Sequence, residues 1–134
     1  DFCGSLFFFI IKTKVTGKKV TEQYEKKAVS QLRDEVVKRG YAITAGDVGH
    51  PYLVAALMKY GMNDLLNKMT NITDRPGYGY QVKNGATTLT EEWDGPDPNR
   101  PHGSQNHLML GSIDEWFFAG LGGIGSIDRN GRII

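Results

Sequence analysis

A helical repeat of apolar residues constrains the fold of this chain more than any other feature. Between residues 20 and 36 an apolar side chain recurs every four positions, and charged residues lie in between. The apolar positions are Val20, Tyr24, Ala28, Leu32 and Val36, and Val29 and Val37 widen the stripe. Residues four apart lie on the same face of an α-helix, so this spacing predicts an amphipathic helix. Gly40 follows the stripe and is expected to end the helix.

Two shorter helices are predicted next. Pro51 suits the first turn of a helix that carries Leu53, Val54, Leu57 and Tyr60 and stops at Gly61. Asn63 is a candidate cap for a third helix, which carries Leu65, Leu66, Met69 and Ile72. Because the connections are short, the pattern predicts an all-α fold of antiparallel helical hairpins.

The helical pattern is interrupted after residue 77. Residues 78–89 alternate loosely and include Asn84-Gly85, a strong hairpin signal, so a loop or short hairpin is predicted there. Residues 94–103 hold three prolines and two glycines and are predicted to be loop. Ser104 is expected to cap a last helix with the apolar residues Leu108, Ile113, Trp116, Phe117 and Leu121.

Charge and cysteine content argue against several classes of protein. The 134 residues include 16 basic and 15 acidic ones, so the formal net charge of +1 favours neither nucleic acid nor an anionic membrane as a partner. Cys3 is the only cysteine, and the three histidines fit no zinc motif, so no internal disulfide, metal or cofactor is expected. The apolar run over residues 6–11 is too short to span a bilayer.

Residue types suited to sugar chemistry collect in the interrupted region. Glu91, Glu92 and Trp93 are consecutive, and Asp94 and His107 follow within the same loop-rich stretch. Carboxylates can move protons and an indole face can stack on a pyranose ring, whereas the alternative is an acidic pair in water beside a core tryptophan. Two adjacent acids point in different directions, so at most one is expected to face a substrate.

At these residues the sequence resembles glycoside hydrolase family 78, the bacterial α-L-rhamnosidases. The resemblance rests on blocks that stand in the family's order: Gly77-Tyr78-Gly79-Tyr80, the run from Asn84 to Trp93, Asn106-His107, Glu115-Trp116, the stretch from Gly40 to Gly49, and residues 121–124. It implies part of a six-hairpin (α/α)6 toroid that hydrolyses terminal α-L-rhamnosides with inversion. In inverting glycosidases the two carboxyl groups stand about 6.5–9.5 Å apart to admit the attacking water.

The resemblance also implies roles for individual residues. Glu91 aligns with the general base, Trp93 with an aromatic residue near the sugar, and His107 with a histidine that contacts substrate. Asp47, in a connection on the same face, is a further candidate for substrate binding. The expected partner is a rhamnose-containing glycoside or oligosaccharide.

Two departures from the family limit this expectation. Thr90 stands where many members carry tryptophan, which removes one wall of the sugar pocket. The general acid lies far upstream in the family, and the superficially similar Arg33-Asp34-Glu35 is interpreted as a surface helix. The chain is therefore expected to hold the general-base half of the site and to be inactive alone.

The domain organisation follows from the same comparison. Residues 1–134 are expected to form a single, partial catalytic domain in which residues 1–16 match poorly and residues 125–134 are a truncated tail. Such a piece is expected to pair with the missing remainder of the domain or with a second copy. The alternative function is a non-catalytic carbohydrate-binding or scaffold fragment of the same fold. The sequence indicates no cellular location.

Overall fold

The computed structural model describes residues 22–125, and the regular structure within that range is helical. The elements are α1 (Glu22–Lys38), α2 (His50–Lys59), α3 (Asn63–Asn71), α4 (Tyr78–Lys83) and a C-terminal helical segment. That segment comprises a 3-10 helix (Leu108–Ser112), one α-helical turn, α5 (Ile113–Glu115), and a π-helical turn (Trp116–Leu121). The all-α prediction is confirmed. The predictions for Val20, Cys3, residues 1–16 and most of the tail lie outside the described residues.

The C-terminal half of α1 supplies its buried face. Leu32 and Val36 are buried as the stripe predicts, but Tyr24 and Val37 are 66% and 46% exposed, so the prediction is wrong for these two. The N-terminal half is instead fastened to α2 by polar contacts: Lys59 Nζ donates to Glu25 Oε1 at 3.0 Å, and the Tyr60 hydroxyl donates to the same oxygen. Gly40 ends the helix as predicted, with φ of 60°.

Helices α2 and α3 are joined by residues 60–62 and pack against each other. Pro51 lies in the first turn of α2, as predicted. The capping prediction for Asn63 is wrong, because α3 begins at Asn63 itself and Met62 occupies the cap position. The Asn63 side chain is used elsewhere: its Oδ1 accepts from Trp116 Nε1 at 3.1 Å and so ties α3 to the C-terminal helical segment.

One buried cluster joins these elements. It includes residues of α1, α2, α3 and the C-terminal helical segment: Leu32, Val36, Ile43, Val54, Ala56, Leu57, Met62, Leu65, Leu66, Met69, Ile113 and Trp116. Trp116 is the bulkiest of its fully enclosed side chains. Within residues 22–125, no helix combines the length and apolar character needed to cross a bilayer.

The loop or hairpin predicted for residues 78–89 is wrong over its first half. Tyr78–Lys83 forms α4, and the Asn84-Gly85 pair ends this helix instead of turning between two strands. Gly85 has φ of 84°, and the Ala86 N–H closes the turn on Gln81 O at 3.0 Å. An Asn-Gly pair supplies the left-handed conformation that both a hairpin turn and a helix C-terminus require, so the pair alone does not distinguish them.

The cap predicted at Ser104 is also wrong. The last helical segment begins after His107, and Ser104 instead pairs through its backbone with Glu91. The residues expected to be apolar core divide: Ile113 and Trp116 are buried, whereas Leu108, Phe117 and Leu121 are 82%, 47% and 56% exposed.

Helix α4 is seated on the end of α3 by a close backbone approach at Gly79. A Cβ atom at this position would lie 2.6 Å from the carbonyl oxygen of Ile72 and 3.0 Å from that of Asn71. Real side chains do not tolerate the shorter contact, and both obstacles are backbone. Gly79 is therefore needed for the position of the helix that carries Tyr78 and Gln81.

The close approach predicts a specific loss of stability. Replacing Gly79 by alanine should destabilise the chain by roughly 1–3 kcal/mol, because α4 must shift away from α3 to relieve the overlap. Gly46→Ala is the matched control, since a Cβ atom there meets nothing within 4 Å. Urea unfolding of the two variants measures the difference. Equal midpoints for both would show that α4 is not seated as described.

Candidate active site

Three rings from separate parts of the chain meet beneath the loop that carries Glu91. His50 begins α2, Tyr78 begins α4, and Trp93 lies two residues after Glu91. The ring centroids are 5.1 Å apart for His50 and Trp93, 4.9 Å for Tyr78 and Trp93, and 5.6 Å for His50 and Tyr78. Tilted and edge-on arrangements at these distances are favourable for aromatic pairs. The packing fastens the loop to the helical core.

His50 also joins these elements through hydrogen bonds. Its Nδ1 lies 2.8 Å from the Ser112 hydroxyl, and its Nε2 lies 3.5 Å from the Tyr78 hydroxyl. The Tyr78 hydroxyl donates to the carbonyl of Leu110, so toward His50 it can only accept. This assigns the imidazole proton to Nε2 and leaves Nδ1 to accept from Ser112.

Burial sets the charge state of this cluster. His50 is 2% exposed, and burial lowers the pKa of its imidazole to about 4, so the ring is neutral at pH 7. Burial, followed by the negative charge of Asp114, raises the pKa of the Tyr78 phenol above its ordinary value. Both groups therefore serve as fixed hydrogen-bonding and packing elements near neutral pH.

Trp93 bridges the loop to the connection between α1 and α2. Its indole Nε1 donates to the carbonyl oxygen of Ala45 at 2.7 Å. Asp47 follows two residues later, is partly buried, and accepts from the Val48 N–H at 2.7 Å. The structure therefore brings Asp47 and Trp93 into one neighbourhood through Ala45.

Glu91 and His107 lie on two paired stretches of backbone. The Glu91 N–H donates to Ser104 O at 2.8 Å, and the His107 N–H donates to Leu89 O at 2.8 Å. The Glu91 side chain is exposed, and its Oε2 accepts from the Ser104 N–H at 2.9 Å. These bonds run between neighbouring segments in opposite directions, so they bring the backbone of residues 89–91 alongside that of residues 104–107.

The His107 ring has an unsatisfied atom. His107 is partly buried, and its Nδ1 is enclosed without a hydrogen-bond partner among the described residues. A buried polar atom without a partner is costly, and such atoms in native proteins call for an explanation such as a ligand or ordered water. Among residues 22–125, no hydrogen bond or ion pair links the side chains of Asp47, Glu91, Trp93 and His107 directly.

Glu92 and Asp94 converge on His102. The His102 Nε2 lies 3.5 Å from Glu92 Oε2 and 3.2 Å from Asp94 Oδ1. A hydrogen bond with the Arg100 carbonyl, then the charges of Asp94 and Glu92, raise the pKa of His102. One ligand atom from each of the three residues lies within 4.8 Å of the others, which is a spacing that could hold a metal ion. The histidine spacing in the sequence does not suggest this cluster.

The backbone around Glu91 is supported from below by buried polar groups. Thr90 is fully buried, and its hydroxyl donates to the Glu92 carbonyl at 2.6 Å. Gln81 is 2% exposed and contacts the same part of the loop. Neither Gln81 nor His50 is conspicuous in the sequence. The one available signal for Gln81 is its position three residues after Tyr78, on the same face of α4.

Comparison with known proteins identifies the fold to which this surface belongs. The family described as the bacterial alpha-L-rhamnosidase 6 hairpin glycosidase domain matches residues 14–121. The chain belongs to this family. Its described helices are part of an (α/α)6 toroid.

Several alpha-L-rhamnosidases are similar to much of the chain. An alpha-L-rhamnosidase of Streptomyces avermitilis is 29% identical over 110 residues, which cover 78% of this chain and 11% of that protein. An alpha-L-rhamnosidase of Formosa agariphila is 28% identical over 121 residues, covering 86% and 13% respectively. The crystal structure of native α-L-rhamnosidase from Aspergillus terreus superposes with a TM-score of 0.72 at 26% identity, over 88% of this chain and 13% of that one. The chain thus spans roughly a tenth of the length of these relatives.

The triplet Arg33-Asp34-Glu35 lies on the surface of α1. Arg33 and Asp34 are exposed on α1, and Glu35 pairs with Arg39 at 3.2 Å and with Lys38 at 3.8 Å. The prediction of a surface helix is confirmed. These charges form ordinary surface ion pairs.

The two histidine environments predict opposite titrations. His50 should bind its proton near pH 4, whereas His102 should titrate above the ordinary histidine value of about 6.5. Nitrogen-detected NMR of the imidazoles measures both in one sample, so each serves as the control for the other. Two titrations at the same ordinary value would contradict the description of both sites.

The His50 shift has a consequence for stability. Between pH 6.5 and 4 the unfolded chain binds a proton at this imidazole that the folded chain excludes, so the contribution is complete above pH 6.5 and is lost as the pH falls. The pKa difference corresponds to roughly 3 kcal/mol. The His102 contribution has the opposite sign, since it is complete at low pH and is lost as the pH rises through the raised pKa.

Proposed function

We propose that this chain supplies the general-base side of an α-L-rhamnosidase-type active site, with Glu91 as the base. The observation that carries the proposal is the held carboxylate: Glu91 is exposed, yet its Oε2 is fixed by the Ser104 N–H at 2.9 Å. The second oxygen, Oε1, takes part in no hydrogen bond with residues 22–125. A carboxylate aimed in this way can accept a proton from a water molecule as the water attacks the sugar.

The remaining candidates suit the sugar side of the same surface. The partly buried indole of Trp93 is braced by His50, Tyr78 and Ala45, so it presents a rigid aromatic surface. The unsatisfied Nδ1 of His107 can bond to a sugar hydroxyl once a ligand is present. Asp47, near Trp93, can accept from another hydroxyl. Rigid aromatic faces with a few polar groups are typical of small-molecule sites.

The reaction needs a second carboxyl group that this proposal places outside the chain. In inverting glycosidases one acid protonates the leaving oxygen while the base, on the opposite face of the ring, activates water. The relatives are about eight to nine times as long as the matched segment, since it covers 11–13% of their length. We therefore expect negligible turnover of ordinary α-L-rhamnosides by the isolated chain.

Exposed apolar side chains support the expectation that this chain packs against further structure. The C-terminal helical segment leaves Leu108, Phe117, Phe118 and Leu121 between 47% and 82% exposed. Large exposed apolar patches are uncommon on monomeric proteins and mark surfaces that pack against something else. The remainder of the six-hairpin domain or a second copy of the chain would cover them.

A second candidate function is carbohydrate binding or scaffolding without bond cleavage. The core contacts of Trp93 favour it, because they account for this residue without any catalytic role. On this alternative Trp93 and His107 contact sugar, and the ionisation of Glu91 is unimportant.

An activated donor separates the two functions, because it does not need the missing acid. We expect the chain to accelerate fluoride release from α-L-rhamnosyl fluoride, whose leaving group requires little protonation, and to form β-L-rhamnose first. Glu91→Gln should reduce the rate by about 100-fold or more, which is the lower end of the usual contribution of a general base. Glu92→Gln is the matched control and should leave the rate unchanged, since Glu92 faces His102. A fluoride electrode and proton NMR of the product make the measurements.

The contrary outcomes are equally specific. Rhamnose binding without fluoride release, with the same affinity in Glu91→Gln, would favour the carbohydrate-binding alternative. Turnover of an alkyl α-L-rhamnoside that is abolished by Glu91→Gln would show that the chain holds its own acid. Fluoride release that survives Glu91→Gln would remove Glu91 from the role of base. Binding is followed by tryptophan fluorescence, which Trp93→Phe should silence, since the other tryptophan, Trp116, is 1% exposed.

A further inference from the structure

Gln81 is a buried polar side chain whose partners lie on both sides of Glu91. It is 2% exposed, on α4, directly beneath the loop. Its Oε1 accepts from the Thr90 N–H at 3.5 Å, and its Nε2 donates to the Glu92 carbonyl at 3.4 Å. An N–H group and a carbonyl group dictate opposite ends of the amide, so the partners themselves fix its orientation.

The two bonds are long, and burial is what makes them matter. At 3.4–3.5 Å each lies near the upper limit of hydrogen-bond length and is individually weak. A buried carboxamide cannot exchange these partners for water, so losing them leaves unsatisfied buried groups, which is destabilising. Thr90 strengthens the arrangement, because its hydroxyl shares the Glu92 carbonyl at 2.6 Å.

The helix beneath is itself fixed. The carbonyl oxygen of Gln81 accepts from the Ala86 N–H at 3.0 Å, and Gly79 seats α4 against the backbone of α3. Gln81 therefore transmits the position of a packed helix to the residues before and after Glu91. With both neighbours held, the direction in which the Glu91 side chain leaves the backbone is also held.

We propose that Gln81 is a positioning residue that aims the Glu91 carboxylate at its site. The inference rests on the proposed role of Glu91 as the base. Gln81 acts through the backbone of Thr90 and Glu92 and touches neither water nor sugar. Without Gln81, the loop keeps its backbone hydrogen bonds at Leu89 and Ser104, but the carboxylate of Glu91 loses its fixed direction.

The Ser104 amide proton is a direct reporter of this aim. It donates to Glu91 Oε2 at 2.9 Å, so its chemical shift should move as the Glu91 carboxyl ionises. Proton–nitrogen NMR spectra between pH 3 and 8 would record that step, and Glu91→Gln would identify it by removing it. We expect Gln81→Met to reduce the amplitude of the step to less than half. Gln31→Met, an exposed position on α1, is the control and should leave it unchanged.

The fold is monitored in the same spectra through the indole N–H of Trp116, which reports the core contact to Asn63. If Gln81→Met does not fold, Gln81→Leu decides, because it also removes both hydrogen-bonding groups and buries no charge. A reduced step in either folded variant supports the proposal. A full step in a folded variant overturns it.

The same variants distinguish this proposal from the function on which it rests. If fluoride release depends on Glu91, Gln81→Met should lower kcat more than it changes KM. If there is no Glu91-dependent release but the Ser104 step still falls in Gln81→Met, the proposed function fails and the positioning role stands. If release depends on Glu91 and the Ser104 step is unchanged, the function stands and the positioning role fails.

Discussion

The contacts of the buried His50 imidazole hold together the elements on which the rest of the structure depends. It sits at the start of α2, hydrogen-bonds to Ser112 in the C-terminal helical segment, and packs on Tyr78 and Trp93. One side chain thereby connects two helices, a helical segment and the loop that carries Glu91. The connection depends on a neutral ring, which burial ensures by lowering the pKa of His50 to about 4.

The loop that carries Glu91 is held by contacts at several independent points, and each contact has a different physical origin. Two backbone rungs pair residues 89–91 with residues 104–107, ring packing holds Trp93, and Gln81 holds the backbone beside Glu91. A catalytic or binding side chain must be held close to its productive geometry by its supporting shell. The chain supplies such a shell around Glu91, while its C-terminal helical segment leaves large apolar side chains exposed.

The sequence was sufficient for those features that repeat along it. The apolar period identified α1, α2 and α3, and their ends at Gly40 and Gly61 followed from glycine chemistry. Prediction from the sequence failed where the same residues are compatible with two different local structures. Asn84-Gly85 ends a helix here. The Asn63 side chain makes a tertiary contact with Trp116, and the Ser104 hydroxyl donates to the Asn106 carbonyl two residues later, so neither caps a helix.

The candidate site divides in the same way. Glu91 and Trp93 are neighbours in the sequence, so their association required no structure. The pairing of Glu91 with Ser104 and of His107 with Leu89, and the bond from Trp93 to Ala45, depend on contacts between separate segments that no local pattern encodes. The burial of His50 and Gln81 is not predictable from the sequence, because a polar residue in a helix is ordinarily expected to face solvent.

The central claim is that this chain alone builds the shell that holds Glu91. Amide hydrogen exchange of the isolated chain tests it most directly, with the fully buried Leu57 in α2 as the internal reference for the core. The Glu91 and His107 amides each donate across the loop, so the account predicts that both are strongly protected from exchange. Exchange of both amides at the rate of an unstructured peptide, while Leu57 remains protected, would show that the helices fold without the site and would contradict the account.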